Sequence, residues 1–273
     1  MKPANNRLVK AFVDARRDGS KLLVPFVTAG FPDLATTGAL LADFERRGVK
    51  VCELGVPFSD PVADGPVIQA SYTQALERGV HSDGIFEMVR AYRAAGGAMA
   101  LVAMVSYSIV FRHGMATYIQ QAAAAGVDGM IIPDLPLEEA APAEQAASAV
   151  GLANVMLIAP TTPEPRAQRI ASHSRGFLYY VSIAGTTGQR DTLPPETIAA
   201  VNRLRSHTDV PICVGFGISN ADTVRTVVQA ADGAIVGSAI VRRIGEAAKR
   251  NLSPPALVAE VGSFVDELQA GCR

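Results

Sequence analysis

Eight short apolar runs, separated by stretches with helical spacing, constrain this chain more than anything else in its sequence. They are 22–29, 49–54, 98–105, 127–132, 154–159, 177–183, 210–215 and 233–237. Most are apolar throughout instead of alternating, as expected of strands buried on both faces of a parallel sheet. Between them, Ile85, Met88, Val89 and Tyr92 recur at i, i+3, i+4 and i+7, and so do Met115, Tyr118, Ile119 and Ala122. Asp33 and Gly48 bracket a helix over 34–47. Ser219, with Asp222 three residues on, reads as a capping box ahead of Val224, Val227 and Val228. Eight strand–helix units roughly 22–35 residues apart, with one wider gap after the second strand, predict an α/β fold, a (β/α)8 TIM barrel forming a single domain over 1–273. An open doubly wound sheet more naturally stops at five or six strands. Arg7 to Arg17 reads as an extra N-terminal helix able to plug the barrel bottom. The wide gap holds a proline-rich loop and an extra helix, and Pro254 to Leu268 reads as a final helix.

Composition narrows the function. With 25 basic and 26 acidic residues the formal net charge is -1, and the basic residues are spread out, which argues against nucleic-acid and anionic-membrane partners. No apolar run approaches the roughly 18 residues of a membrane span. The first residues lack a signal-peptide core, so a cytoplasmic location is expected. Cys52, Cys213 and Cys272 form no CxxC pair and read as structural thiols.

In a barrel of this kind, chemistry lies at the C-terminal ends of the strands. The second strand carries Glu53 in an otherwise apolar run. A carboxylate there is costly to bury ionised, so it is paired, protonated or functional. The loop behind it holds Pro57, Pro61 and Pro66 with Asp60 and Asp64. Prolines restrict such a loop to few conformations. The seventh strand runs into Gly215-Phe216-Gly217-Ile218-Ser219 and the eighth into Gly237-Ser238-Ala239, each opening a helix. Glycine turns there let backbone N–H groups approach a phosphate, which the helix dipole favours. Ile183 to Pro195, with Gly185-Thr186-Thr187-Gly188, reads as a lid. Lys21 and Lys50 precede their strands, on the wrong face for a Schiff base. His81, His113, His173 and His207 flank helices, and no strand ends in a metal-ligand cluster. What remains is carboxylate acid–base chemistry on a phosphorylated small molecule, with no metal or cofactor.

The stretch Glu53 to Pro66, ELGVPFSDPVADGP, resembles the signature of tryptophan synthase alpha subunits. The resemblance covers essentially the whole chain. It includes Pro25 to Gly30, Ile132 to Pro136, Tyr179, the GTTG lid, GFGIS at 215–219 and GSAIV at 237–241. It implies a lyase that cleaves indole-3-glycerol phosphate to indole and glyceraldehyde 3-phosphate in tryptophan biosynthesis. In that reading Glu53 is the acid–base and Asp64 accepts the indole N–H. Phe26 packs by the indole, Tyr179 lines the site near Glu53, and Thr187 positions Asp64. Gly188, Gly217, Gly237 and Ser238 supply the phosphate contacts, and Phe216 is a further substrate-binding residue. The resemblance also implies an α2β2 assembly with a beta subunit, which carries the pyridoxal phosphate (PLP); the alpha chain takes no cofactor. The chain departs from the family at Ser106-Tyr107-Ser108-Ile109, where Asn followed by Pro or Leu is usual in a loop that contacts the beta subunit. It also has Thr186 where Val is common. A stand-alone lyase, another phosphate-binding barrel enzyme and a non-catalytic regulatory subunit are the alternatives.

Overall fold

The computed structural model describes residues 6–62, 64–182, 195–215 and 217–273. Eight parallel strands close into a barrel in the order β1 to β8: β1 (Leu22–Thr28), β2 (Val51–Gly55), β3 (Ala100–Met104), β4 (Gly129–Ile131), β5 (Ala153–Ile158), β6 (Leu178–Val181), β7 (Ile212–Gly215) and β8 (Gly233–Val236). Helices cover the outside: α1 (Arg7–Arg17), α2 (Leu34–Arg46), α3 (Pro66–Glu77), α4 (Ser82–Ala94), α5 (Tyr107–His113), α6 (Met115–Ala125), α7 (Ala141–Val150), α8 (Glu164–His173), α9 (Pro195–Arg205), α10 (Ala221–Val228), α11 (Ser238–Lys249) and α12 (Pro254–Gln269). All eight expected runs become strands, most of them shortened at an end, while β2 extends one residue further to Gly55 and β5 begins one residue earlier at Ala153. The wide gap after β2 holds α3 and α4, as the spacing predicts. The helix α5, about two turns long, is an addition that its seven residues are too short to announce.

The capping expectation at α10 is corrected by one residue. Asn220, not Ser219, is the N-cap: its side chain accepts from the Thr223 N–H, while the Thr223 hydroxyl answers the Asn220 N–H. Asn is as good an N-cap as Ser, and Thr here replaces the acid of the usual box. Sequence spacing alone did not separate the two registers.

Alternation along each strand sorts the core into two layers. One face of the sheet packs on the helices. The other fills the barrel, where Leu22, Val24, Val51, Val102, Ile131 and Val155 meet. The bottom is closed by α1, whose Leu8 and Phe12 enter the same cluster. Phe12 lies 5.5 Å from Phe177, ring to ring. Leu8 fits because Gly129 and Gly176 carry no side chain; a Cβ at Gly176 would stand 2.6 Å from Leu8 Cδ2. A buried polar clasp fixes this plug. Asp128 accepts from Arg7 at 2.9 Å, from Arg93 at 2.8 Å and from the Leu101 N–H at 2.9 Å, and Asn6 donates to its carbonyl at 2.7 Å. With the bottom sealed, the open end of the barrel is where its strands end. No helix among the described residues is long and apolar enough to cross a membrane.

Candidate active site

A cavity opens at the C-terminal ends of the strands, lined by Phe26 of β1, Glu53 of β2, Met104 of β3, Tyr179 of β6 and Ile235 of β8. The loop before α3 adds Asp64, and the turns after β7 and β8 add Gly217 and Gly237. Register explains part of this. Phe26 pairs with Glu53, and Glu53 with Val102, so these side chains stand side by side around the inner wall.

Glu53 is wholly buried. Neither carboxyl oxygen has a hydrogen-bond partner among the described residues. Burial in this apolar barrel penalises the charged form and pushes its pKa from 4.5 to about 8. The sequence left three options for this acid, and the unpaired geometry selects one that holds its proton at neutral pH. Asp64 is less enclosed, and burial raises its pKa to about 6. The two acids therefore separate, one protonated and one ionised near pH 7, the arrangement that allows one donor and one anion in a single cavity.

Asp64 owes its place to the start of α3. Gly65 is the N-cap and Pro66 the first helical residue, where proline's fixed φ suits the helix and its missing N–H costs nothing. Gln69 reaches back from the first turn, donating to the Asp64 carbonyl at 2.8 Å and to the Pro61 carbonyl at 3.2 Å. The sequence reading missed Gln69. Its signal was the position, one turn past a rigid loop that needs its carbonyls satisfied.

Two strand-end glycines make room for the aromatic walls. A Cβ at Gly55 would lie 2.3 Å from Phe26 Cζ and 2.7 Å from the Tyr72 hydroxyl. One at Gly215 would lie 2.2 Å from the Tyr179 hydroxyl. Tyr179 is buried and its phenol is held neutral, because burial raises its pKa well above the usual value.

The opposite end of the cavity carries the glycine turns. Gly217 has φ +77°, a left-handed conformation that glycine adopts without strain. The N-terminus of α10 is satisfied by its own Asn220, but α11 begins at Gly237 with no side-chain cap. Its first turn, with Ser238 and Ala239, faces the cavity, and the N–H groups of a helix's first turn have no partner within the helix. Arg242, one turn further, also lines the cavity. The sequence reading did not identify it, because it lies inside a helix and not at a strand end. Val67, Ile68 and Ile218 complete the apolar lining.

The structure thus brings Phe26, Glu53, Asp64, Tyr179, Gly217, Gly237 and Ser238 to one cavity. Thr187, Gly188 and Phe216 lie outside the described residues. The four histidines stand apart from it: His173 meets Glu144 and His207 meets Glu164 on the outer surface. No cluster of three His, Cys, Asp or Glu suited to a metal ion occurs among the described residues.

A family model described as tryptophan synthase alpha chain matches residues 12–269. A tryptophan synthase alpha chain from Rhodopirellula baltica is 44% identical, over 96% of this chain and 97% of its own. The crystal structure of tryptophan synthase subunit alpha from Legionella pneumophila superposes with a TM-score of 0.88 at 32% identity, covering 98% of both chains. A chain of Mycobacterium tuberculosis tryptophan synthase, solved in an aminoacrylate-bound form, gives 0.84 at 31% identity, over 98% of this chain and 100% of its own.

Proposed function

The chain belongs to the tryptophan synthase alpha chain family, and from that premise we propose that its barrel-mouth cavity cleaves indole-3-glycerol phosphate to indole and glyceraldehyde 3-phosphate. The observation that carries the reading is the buried Glu53, with no hydrogen-bond partner among the described residues, in one cavity with the less buried Asp64.

The reaction is a retro-aldol cleavage. Indole leaves poorly as a carbanion, so its C3 takes a proton first, and Glu53 arrives protonated to supply it. Positive charge then develops on the ring nitrogen. Asp64, ionised above pH about 6, accepts the N–H and stabilises that charge. Glu53, now a carboxylate, takes the proton from the glycerol hydroxyl next to the ring. The carbon–oxygen double bond forms and the bond to indole C3 breaks. Its electron pair returns to the aromatic ring, and Glu53 ends protonated. Phe26 and Tyr179 offer flat apolar faces for the indole. The phosphate goes to the uncapped start of α11 and the turn at Gly217, where N–H groups and the helix dipole favour an anion. This chemistry needs no cofactor from the chain itself.

The family also implies a PLP-carrying beta subunit, in an α2β2 assembly in the cytoplasm. Two exposed apolar side chains past the strand ends are ones such a partner would cover: Val62 in the loop after β2 and Phe111 in α5, which follows the β3 loop, are 84% and 70% exposed. Ser106 and Asp134 brace the second of these loops; Asp134 accepts from the Ser106 hydroxyl and the Tyr107 N–H, each at 2.7 Å.

The test is indole release from indole-3-glycerol phosphate by the purified chain, with Glu53→Gln as control and with a cognate beta subunit added. Turnover that Glu53→Gln abolishes is expected. Turnover that survives the substitution would remove Glu53 from the mechanism, and none under any condition would remove the reaction.

A further inference from the structure

The cavity contains two acids and, among the described residues that line it, one cation. That cation is Arg242. It sits one helical turn past Ser238 on α11, and residues four apart share a helix face. Ser238 and Arg242 therefore present to the cavity together, beside Gly237 and Ala239. Its neighbour Arg243 turns away, stacked 4.6 Å over the ring of Phe264, so the two adjacent arginines divide between cavity and outer shell.

Glu53 and Asp64 are both raised by burial, and Arg242 lowers neither. A cation close to either carboxyl would favour its ionised form. Set one turn past Ser238 on α11, Arg242 belongs to the glycine end of the cavity. Backbone N–H groups and a helix dipole supply only partial charges there, whereas a phosphate ester brings nearly two full negative charges into a cavity that already holds ionised Asp64. Arg242 keeps a further contact of its own, but a guanidinium has five N–H donors, enough to hold one partner and still reach a phosphate oxygen.

We propose that Arg242 is a specificity-determining residue of the site, supplying the full charge that selects a phosphorylated substrate over its neutral counterpart. This rests on the phosphate-end reading given above. Charge-assisted hydrogen bonds to phosphate are about twice as strong as neutral ones, so loss of the guanidinium weakens phosphate-ester binding by about tenfold to a hundredfold.

The experiment compares wild type, Arg242→Gln and Arg242→Lys. Four quantities are measured: kcat and KM for indole-3-glycerol phosphate, affinity for sn-glycerol 3-phosphate, and affinity for indole. In Arg242→Gln, KM rises and glycerol 3-phosphate affinity falls by that same factor, while kcat stays within about threefold and indole affinity is unchanged. Arg242→Lys, which keeps the charge without the fork, recovers part of the loss. If Arg242 only braced the helix, indole and glycerol 3-phosphate affinities would fall together. That result, or unchanged glycerol 3-phosphate affinity in Arg242→Gln, overturns the proposal. If the glutamine chain does not fold, the lysine variant decides: wild-type salt dependence of glycerol 3-phosphate affinity with at most a tenfold loss supports it, and a flat salt dependence overturns it. A wild type that releases no indole fails the reaction itself, an outcome separate from all of these.

Discussion

Replacing Glu53 by glutamine keeps the side chain's size and removes its titration, so the variant should gain stability relative to wild type as pH rises. Glu53 titrates at its ordinary 4.5 in the unfolded chain and at about 8 in the barrel. Below pH 4.5 it is protonated in both states and contributes nothing. Between 4.5 and 8 the unfolded chain ionises and the folded chain does not. Folding must then recapture a proton, and stability falls with pH. Above 8 the penalty is constant. At about 1.4 kcal/mol per pH unit, wild type loses ~3 kcal/mol by pH 7 and ~4 kcal/mol by pH 8 through this group, levelling off near ~5 kcal/mol above that. Burying a glutamine amide without partners carries its own cost, but that cost is the same at every pH. The signature is therefore the slope: equilibrium urea unfolding of both proteins from pH 5 to 9 should give curves that diverge as pH rises and run parallel above 8. Parallel curves over the whole range would mean that Glu53 is ionised inside the barrel, and the proton-donor argument would collapse. Activity should follow the same titrations with opposite demands. The rate needs Asp64 ionised and Glu53 protonated, so kcat/KM is expected to be bell-shaped with limbs near pH 6 and 8. A flat profile between 5 and 9 counts against both assignments.

Gly215→Ala places a methyl group 2.2 Å from the Tyr179 hydroxyl, forcing the ring off the cavity wall. Overpacking of this kind costs about 1–3 kcal/mol, and indole release should drop with it; wild-type turnover would show that Tyr179 does not shape the ring subsite. Arg93→Ala leaves Asp128, whose side chain is 4% exposed, with Arg7 and one N–H. A broken buried pair predicts a loss of about 3 kcal/mol in thermal or urea unfolding, with the kinetics of the folded enzyme unchanged, since the clasp lies at the opposite end of the barrel. A loss under 1 kcal/mol would show that Arg7 alone neutralises Asp128.

The fold was legible because its signals are local. Runs apolar on both faces belong to a parallel sheet with helices outside, and eight of them at near-regular spacing leave a barrel as the closed solution. The same locality placed Glu53 and the glycine turns, since a strand-end carboxylate and paired Gly-rich turns can be read from neighbours in the chain. Adjacency in the chain did not decide what happens across the barrel. That Glu53 finds no partner among the described residues depends on how the other strands are arranged around it. The same is true of the space at Gly55 and Gly215, which is empty in sequence and filled in the barrel by Phe26, Tyr72 and Tyr179. Arg242 reads in the sequence as one helical arginine among many, and only the angle at which α11 meets the cavity turns it inward while Arg243 goes to Phe264. The sequence by itself determined which secondary elements form and in what order, because those follow from propensity and periodicity along the chain. Only the tertiary structure decided the ionisation of the acids and the electrostatics of the cavity, because burial and charge act through space.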